Sequence, residues 1–311
     1  MIRKIVGVVA CIVVITAVLV PVTQSGSSGE DTLDVVILGG QSNAAYPLNT
    51  PRISVEEVRE TVPLPSTNCY YFGTLARPVY HSTNISTCSI LSMVREGEWQ
   101  IGSEEAAIAY ELSKTNNDIL VVNVAVPGQP IANFLPGTQY GDRIAEIVHA
   151  AESQIPSKYT VHKLGWVWIQ GEADPLTPVD EYIDSFHVVQ DGFASMGYNT
   201  CYLVETRESG NAHTAHLQLL ADDKDVKLGS DAPAGFSVAS GTLVEGNEIH
   251  YTQKGRTIVG EDVGKAIYND TPINIRSSSV TNLIAIIPLV VVSGLVLAVV
   301  GSFVIKRFDE Y

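Results

Sequence analysis

Val35-Val36-Ile37-Leu38-Gly39-Gly40-Gln41-Ser42-Asn43 is an unbroken apolar run that ends abruptly in two glycines and a polar triplet. Continuous apolarity, rather than alternation, is the pattern of a strand covered on both faces, as in a parallel sheet between helical layers. The glycines permit positive φ and close backbone approach, so the chain can reverse sharply while the Ser42 hydroxyl and the following amides face an incoming carbonyl. Gln41 and Asn43 supply polar groups to hold the turn. Ser42 is therefore the best nucleophile candidate in the chain, with a plain strand-to-helix connection as the simpler alternative.

Similar β-branched runs recur at Ile119–Val126, Leu164–Ile169, Cys201–Val204 and, weakly, Val226–Leu228. Between and after them lie helical patterns at Glu104–Lys114, Arg143–Gln154, Val179–Met196, Ala212–Ala221 and Thr252–Tyr268. This alternation predicts an α/β fold: a mostly parallel sheet in a three-layer α/β/α sandwich, with ligands bound beyond the carboxyl ends of the strands. Residues Pro47–Trp99 read as a long irregular excursion. Its aromatic group, Tyr70, Tyr71, Phe72 and Tyr80, is either a sugar-binding rim or packing against the domain.

The ends of the 311-residue chain are of a different kind. Arg3 and Lys4 precede the apolar run Ile5–Val20, the pattern of a signal peptide or signal anchor over residues 1–22, and a Ser/Gly linker follows over 23–30. Leu283–Ile305 carries no charge and is long enough to span a bilayer, which takes about 20 residues. Lys306 and Arg307 follow it, so both termini are expected in the cytoplasm and the domain at 31–270 outside the cell membrane; 271–282 is a second linker and 306–311 a cytoplasmic tail. A net charge of −15 argues against nucleic acid as a partner.

No cysteine spacing matches a zinc site, and neither metal nor organic cofactor is expected. Cys69 and Cys88 flank a Ser/Thr-rich loop, where an oxidising exterior would permit a disulfide. His213 and His216 stand one helical turn apart without a third ligand and read as surface histidines.

Three more segments end strands or precede helices with chemistry-bearing groups. Pro127-Gly128-Gln129-Pro130-Ile131 brings a glycine amide to the same sheet edge as Ser42, either as a turn glycine or as a donor to an oxyanion. Trp168-Ile169-Gln170-Gly171-Glu172-Ala173-Asp174 places an amide and two carboxylates at a strand end. Gln170 could complete the oxyanion hole and Glu172 orient active-site groups, or the carboxylates could simply cap the next helix. Asn247-Glu248-Ile249-His250 precedes the last helix, and His250 is the general-base candidate for Ser42.

Gly-Gln-Ser-Asn at 40–43, the Gly128 block, Trp-Ile-Gln-Gly-Glu-Ala-Asp at 168–174 and His-Tyr-Thr-Gln-Lys-Gly at 250–255 together resemble the SGNH-type hydrolases, specifically the sialate O-acetylesterase-like carbohydrate esterases. The resemblance extends from Leu33 to Tyr268. It implies a flavodoxin-like three-layer fold and a serine ester hydrolase acting on an acetylated glycan or other small acyl ester through an acetyl-serine intermediate. Ser42 would attack, His250 would serve as base, and the Ser42 and Gly128 amides with Gln170 would bind the oxyanion. The family's usual aspartate three residues before the histidine is Asn247 here, which can orient an imidazole but adds no negative charge. A catalytically silent glycan-binding protein, or an esterase for non-sugar esters, are the alternatives.

Overall fold

A computed structural model of the chain describes residues 31–45, 62, 66–73, 91–92, 103–207 and 210–271. Both apolar terminal runs, Cys88 and Tyr80 lie outside these residues. Among the described residues no helix is long and apolar enough to cross a membrane.

The first strand among the described residues, β1 (Asp31–Gly40), is the centre of a seven-stranded sheet. The chain continues through β2 (Cys69–Gly73), β3 (Leu91–Ser92), helix α1 (Ser103–Leu112), β4 (Asp118–Asn123), α2 (Gln139–Glu152) and β5 (Tyr159–Ile169). Then follow α3 (Val179–Ser195), β6 (Cys201–Val204), α4 (Asn211–Asp222) and β7 (Val226–Ser230), a small antiparallel pair, β8 (Leu243–Val244) with β9 (Asn247–Tyr251), and α5 (Gln253–Asp270). The sheet order is β3-β2-β4-β1-β5-β6-β7, and only β3 runs antiparallel to its neighbour.

The unbroken apolar strands follow from this layering. Val36 and Leu38 of β1 pack beneath α1 and α5, while Leu33, Val35 and Ile37 face α2, α3 and α4. On the second face Phe186 and Phe193 of α3 stack on Trp166 of β5, at ring separations of 5.6 and 4.3 Å. Full burial of each phenylalanine stabilises the fold by about 1.5–3 kcal/mol. On the first face α1 and α5 lie so close that a side chain at Gly260 would meet the Glu104 carbonyl at 2.5 Å.

The excursion after β1 differs from expectation. Tyr70, Tyr71 and Phe72 form β2, a strand paired in parallel with β4, and Phe72 is fully buried. Three aromatics in a row suit a two-sided strand: Tyr71 and Phe72 are core, and Tyr70 is half-buried and packed against it, so the packing alternative holds for these three residues. Cys69, at the start of that strand, is buried with its Sγ 3.9 Å from the carbonyls of Thr67 and Ala109, and the disulfide expected with Cys88 falls on a residue outside the described ones. Burial pushes its pKa up to about 12, which keeps it unreactive. His216 is also not a surface residue, since it is fully buried between α3 and α4.

Parallel strands bring their carboxyl ends to one edge, and β1, β4 and β5 are neighbours there. Past the end of β4 the backbone stays in register, with Val124 N–H donating to Leu38 O (2.8 Å) and Val126 N–H to Gly40 O (2.9 Å). On the other side Gln41 N–H donates to Ile169 O at 2.9 Å. Gly40 makes this crossing possible. Its φ is 126°, and a Cβ there would stand 2.1 Å from the Ile169 carbonyl. Gly40→Ala should therefore destabilise the domain by about 1–3 kcal/mol or more, read as a lowered denaturation midpoint.

Candidate active site

Ser42 follows Gly40 on a tight turn and is 5% exposed. Its neighbours hold it from both sides. Gln41 turns inward, and its Oε1 accepts from Ala173 N–H at 3.1 Å and Gly171 N–H at 3.4 Å. Asn43 turns toward the end of the chain: its Nδ2 donates to Glu172 Oε1 (2.8 Å) and to the Ile249 carbonyl (3.1 Å), and its Oδ1 accepts from Tyr251 N–H (3.2 Å). Ile249 and Tyr251 flank His250. One asparagine thus ties the backbone on both sides of the histidine to the residue that follows the serine.

The underside of the turn rests on buried charge. Arg256 of α5 is 1% exposed and donates to the Asn43 carbonyl (2.9 Å) and the Ser42 carbonyl (3.4 Å) while pairing with Glu104 at 3.0 Å. Asn123, at the end of β4, donates to the Ala44 carbonyl (2.9 Å) and to Glu105 Oε1 (2.7 Å). Three successive carbonyls of the turn, at 42, 43 and 44, are therefore held by two buried side chains. Burial and then the neighbouring Glu104 push Glu105 up to about 8; burial raises Glu104 as well, with the Arg256 guanidinium working against that rise.

Across the same edge, Gln129 O accepts from Gln170 Nε2 at 3.2 Å, and Ile131 N–H donates to Asp174 Oδ2 at 2.8 Å. These two bonds anchor the loop just after Gly128, whose φ is 69°. Hydrogen bonds of Gln41, Asn43, Gln129, Gln170, Glu172, Ile249 and Tyr251 thus link the stretches that carry Ser42, Gly128 and His250 at the carboxyl ends of β1, β4 and β5.

Two expected roles change in detail. Gln170 is 1% exposed, and its Nε2 is surrounded by acceptors, Asp174 Oδ2, Gln129 O and Gln41 Oε1. An amide nitrogen has two hydrogens, so Gln170 is committed to the protein and clamps the Gly128 loop instead of pointing at an oxyanion. Asn247 does not orient His250. β9 runs extended from Asn247 to Tyr251, so side chains three apart leave opposite faces of the ribbon, and His250 Nδ1 is buried with no hydrogen-bond partner among the described residues. Replacing Asn247 by Asp should consequently change turnover by less than about threefold, as for substitutions outside the key contacts. Nor do Glu172 and Asp174 cap the next helix, since Pro178 occupies the N-cap of α3 and both carboxylates bond within the cluster.

Ser42 and His250 are not hydrogen-bonded to each other, and catalytic contacts of this kind commonly close only around substrate. His250 is held below its ordinary value of 6.5 by burial and, secondarily, by the Arg256 charge, so the ring is neutral and able to take a proton at pH 7. Sequence reading missed Arg256, Glu104, Glu105 and Asn123. A signal existed for Arg256, which falls on the apolar spacing of α5 with Val259, Val263 and Ile267 and so had to be buried and paired.

A serine on a strand-to-turn crossing, a histidine before the last helix and a glycine loop anchored at residues 129 and 131 are set on the carboxyl edge of a three-layer, mostly parallel sheet. No family model matches the chain, and no curated protein matches it. Among solved structures, an Arabidopsis thaliana protein superposes with a TM-score of 0.51 at 14% identity, covering 76% of this chain and 98% of that one. A carbohydrate acetylesterase from Xanthomonas citri superposes with a TM-score of 0.50 at 16% identity over 76% of this chain. The chain spans 57% of the length of that enzyme. At these identities the likeness establishes the shared fold.

Proposed function

We propose that the protein is a carbohydrate O-acetylesterase, anchored by its terminal apolar runs with the domain at 31–270 outside the cell membrane. The observation that carries this reading is Asn43, which ties the backbone around His250 to the Ser42 turn through bonds of 3.1 and 3.2 Å. The fold shared with the Xanthomonas citri carbohydrate acetylesterase supports the choice of substrate class.

In the reaction, His250 takes the Ser42 hydroxyl proton as the oxygen attacks the acetyl carbonyl. The Ser42 and Gly128 N–H groups receive the negative charge that develops on the carbonyl oxygen. His250 then protonates the departing sugar oxygen, leaving acetyl-Ser42, and activates the water that releases acetate. Glu172, through Asn43, keeps the two halves of the site in register. The base works only when neutral, so kcat/KM should rise with pH through an apparent pKa below the ordinary histidine value of 6.5 and be level by pH 7. A limb centred above that value would contradict His250 as the base.

The test is acetate release from acetylated mono- and oligosaccharides by the full chain, compared with a propionyl or butyryl ester of the same alcohol. Acetate release from the sugars with poor use of the longer acyl groups is expected. A second reading, a glycan-binding protein without turnover, is favoured by the buried His250 Nδ1, which has no hydrogen-bond partner among the described residues. Saturable binding of acetylated glycan with no acetate released would establish it.

A further inference from the structure

Behind the Gly128 loop, the helical layer buries a polar chain whose direction can be worked out atom by atom. His216 of α4 is 0% exposed, and its Nε2 lies 2.9 Å from the hydroxyl of Tyr182 on α3. That hydroxyl is 2.7 Å from Gln170 Oε1. Gln170 Oε1 can only accept, and Tyr182 has one hydrogen, so the hydrogen goes to Gln170. The contact with His216 must then be a donation from Nε2–H to the tyrosine oxygen. Burial lowers the His216 pKa to about 3, so the ring is neutral with Nδ1 bare. At the far end, the Gln170 amide faces acceptors alone, among them Asp174 Oδ2 and Gln129 O. The amide cannot flip without setting Nε2 against the Tyr182 hydrogen and Oε1 against a carboxylate.

Packing two helices against a sheet needs no such chain, because apolar side chains of similar shape would fill the same space without desolvating a histidine and a tyrosine. The Gln170 amide at its end meets the loop 127–131 at Gln129 O and, beside Ser42, Gln41 Oε1. We propose that His216 and Tyr182 are positioning residues for the oxyanion loop: they fix the Gln170 amide so that it holds Gln129 O while Asp174 holds Ile131 N–H, and these two anchors, just after Gly128, set the direction of its N–H. This rests on the reading of Gly128 as an oxyanion donor.

The test has one arm that needs no activity. In the isotope-labelled full chain, long-range proton–nitrogen spectra should show His216 as the neutral Nε2–H tautomer throughout pH 5–8; the Nδ1–H tautomer would overturn the chain as drawn. In Tyr182→Phe the backbone amide resonance of Gly128 should shift, and kcat for an acetyl ester should fall about 10- to 100-fold with KM within about twofold, as for a displaced oxyanion donor. His216→Ala should act in the same direction, and His216→Gln, which keeps a donor, should restore most of the loss. An unmoved Gly128 resonance together with unchanged kcat in Tyr182→Phe would overturn the inference. If the unaltered protein hydrolyses no ester, the proposed function fails by itself, while the tautomer and the Gly128 resonance still decide this one. If Tyr182→Phe does not fold, the His216 tautomer and the His216→Ala and His216→Gln pair decide it.

Discussion

Ser42→Ala and His250→Ala should each lower acetyl-ester turnover by about 10³-fold or more, with glycan binding retained. The size follows from the chemistry assigned to each group. Without the serine oxygen there is no covalent route, and what remains is water attack assisted by the Ser42 and Gly128 amides. Without the imidazole the hydroxyl must lose its proton unaided. Because the two act in one step, the double variant should be scarcely worse than either single one. Additive losses would mean that Ser42 and His250 work in separate steps, and unchanged turnover in either would remove it from the mechanism. Ala is the smallest change at both positions. Ser42 is only 5% exposed and β9 is held by backbone bonds to Asn43, so neither variant should alter the fold.

The largest stability effect should come from Arg256→Met, with an expected loss of about 3–5 kcal/mol from stranding the buried charge of Glu104. Three separate interactions disappear with the guanidinium: the ion pair at 3.0 Å and the bonds to the carbonyls of Asn43 and Ser42 at 2.9 and 3.4 Å. Denaturant unfolding of the full chain would show a lowered midpoint at unchanged slope. Adding Glu104→Leu should recover much of the stability by removing the stranded charge, yet it should not recover turnover, since the turn carbonyls still lack their donor. Full recovery of both would reduce Arg256 to a partner for Glu104 with no part in holding Ser42.

The fold was legible wherever burial on both faces wrote a continuous apolar run. The strand expected at Cys201–Val204 has those bounds in the structure, and the Val35–Leu38 run lies inside β1. β2 was hidden because Cys69–Gly73 is short and sits within a polar, proline-bearing stretch, so nothing local marked it as a partner for β4. The positions of Ser42, Gly128 and His250 could be read from turn chemistry. Their supports could not: Asn43 bridges to Ile249 and Arg256 to Glu104 across long sequence separations, and a single sequence carries no sign of which partner a polar residue will find. Glu104 and Glu105 look like the solvated acidic start of a helix, and only packing against α5 shows them to be buried. Asn247 shows the opposite failure, where a motif position suggested a contact that the extended geometry of β9 prevents.

The most direct measurement is covalent labelling with a serine-directed fluorophosphonate, followed by peptide mapping of the full chain. A reactive nucleophile beside a neutral imidazole should give one modified residue, Ser42, with labelling lost on unfolding and strongly slowed in His250→Ala. A folded protein that takes no label at Ser42, or takes it at another serine with equal speed, would contradict the assignment of Ser42 and His250 as a catalytic pair.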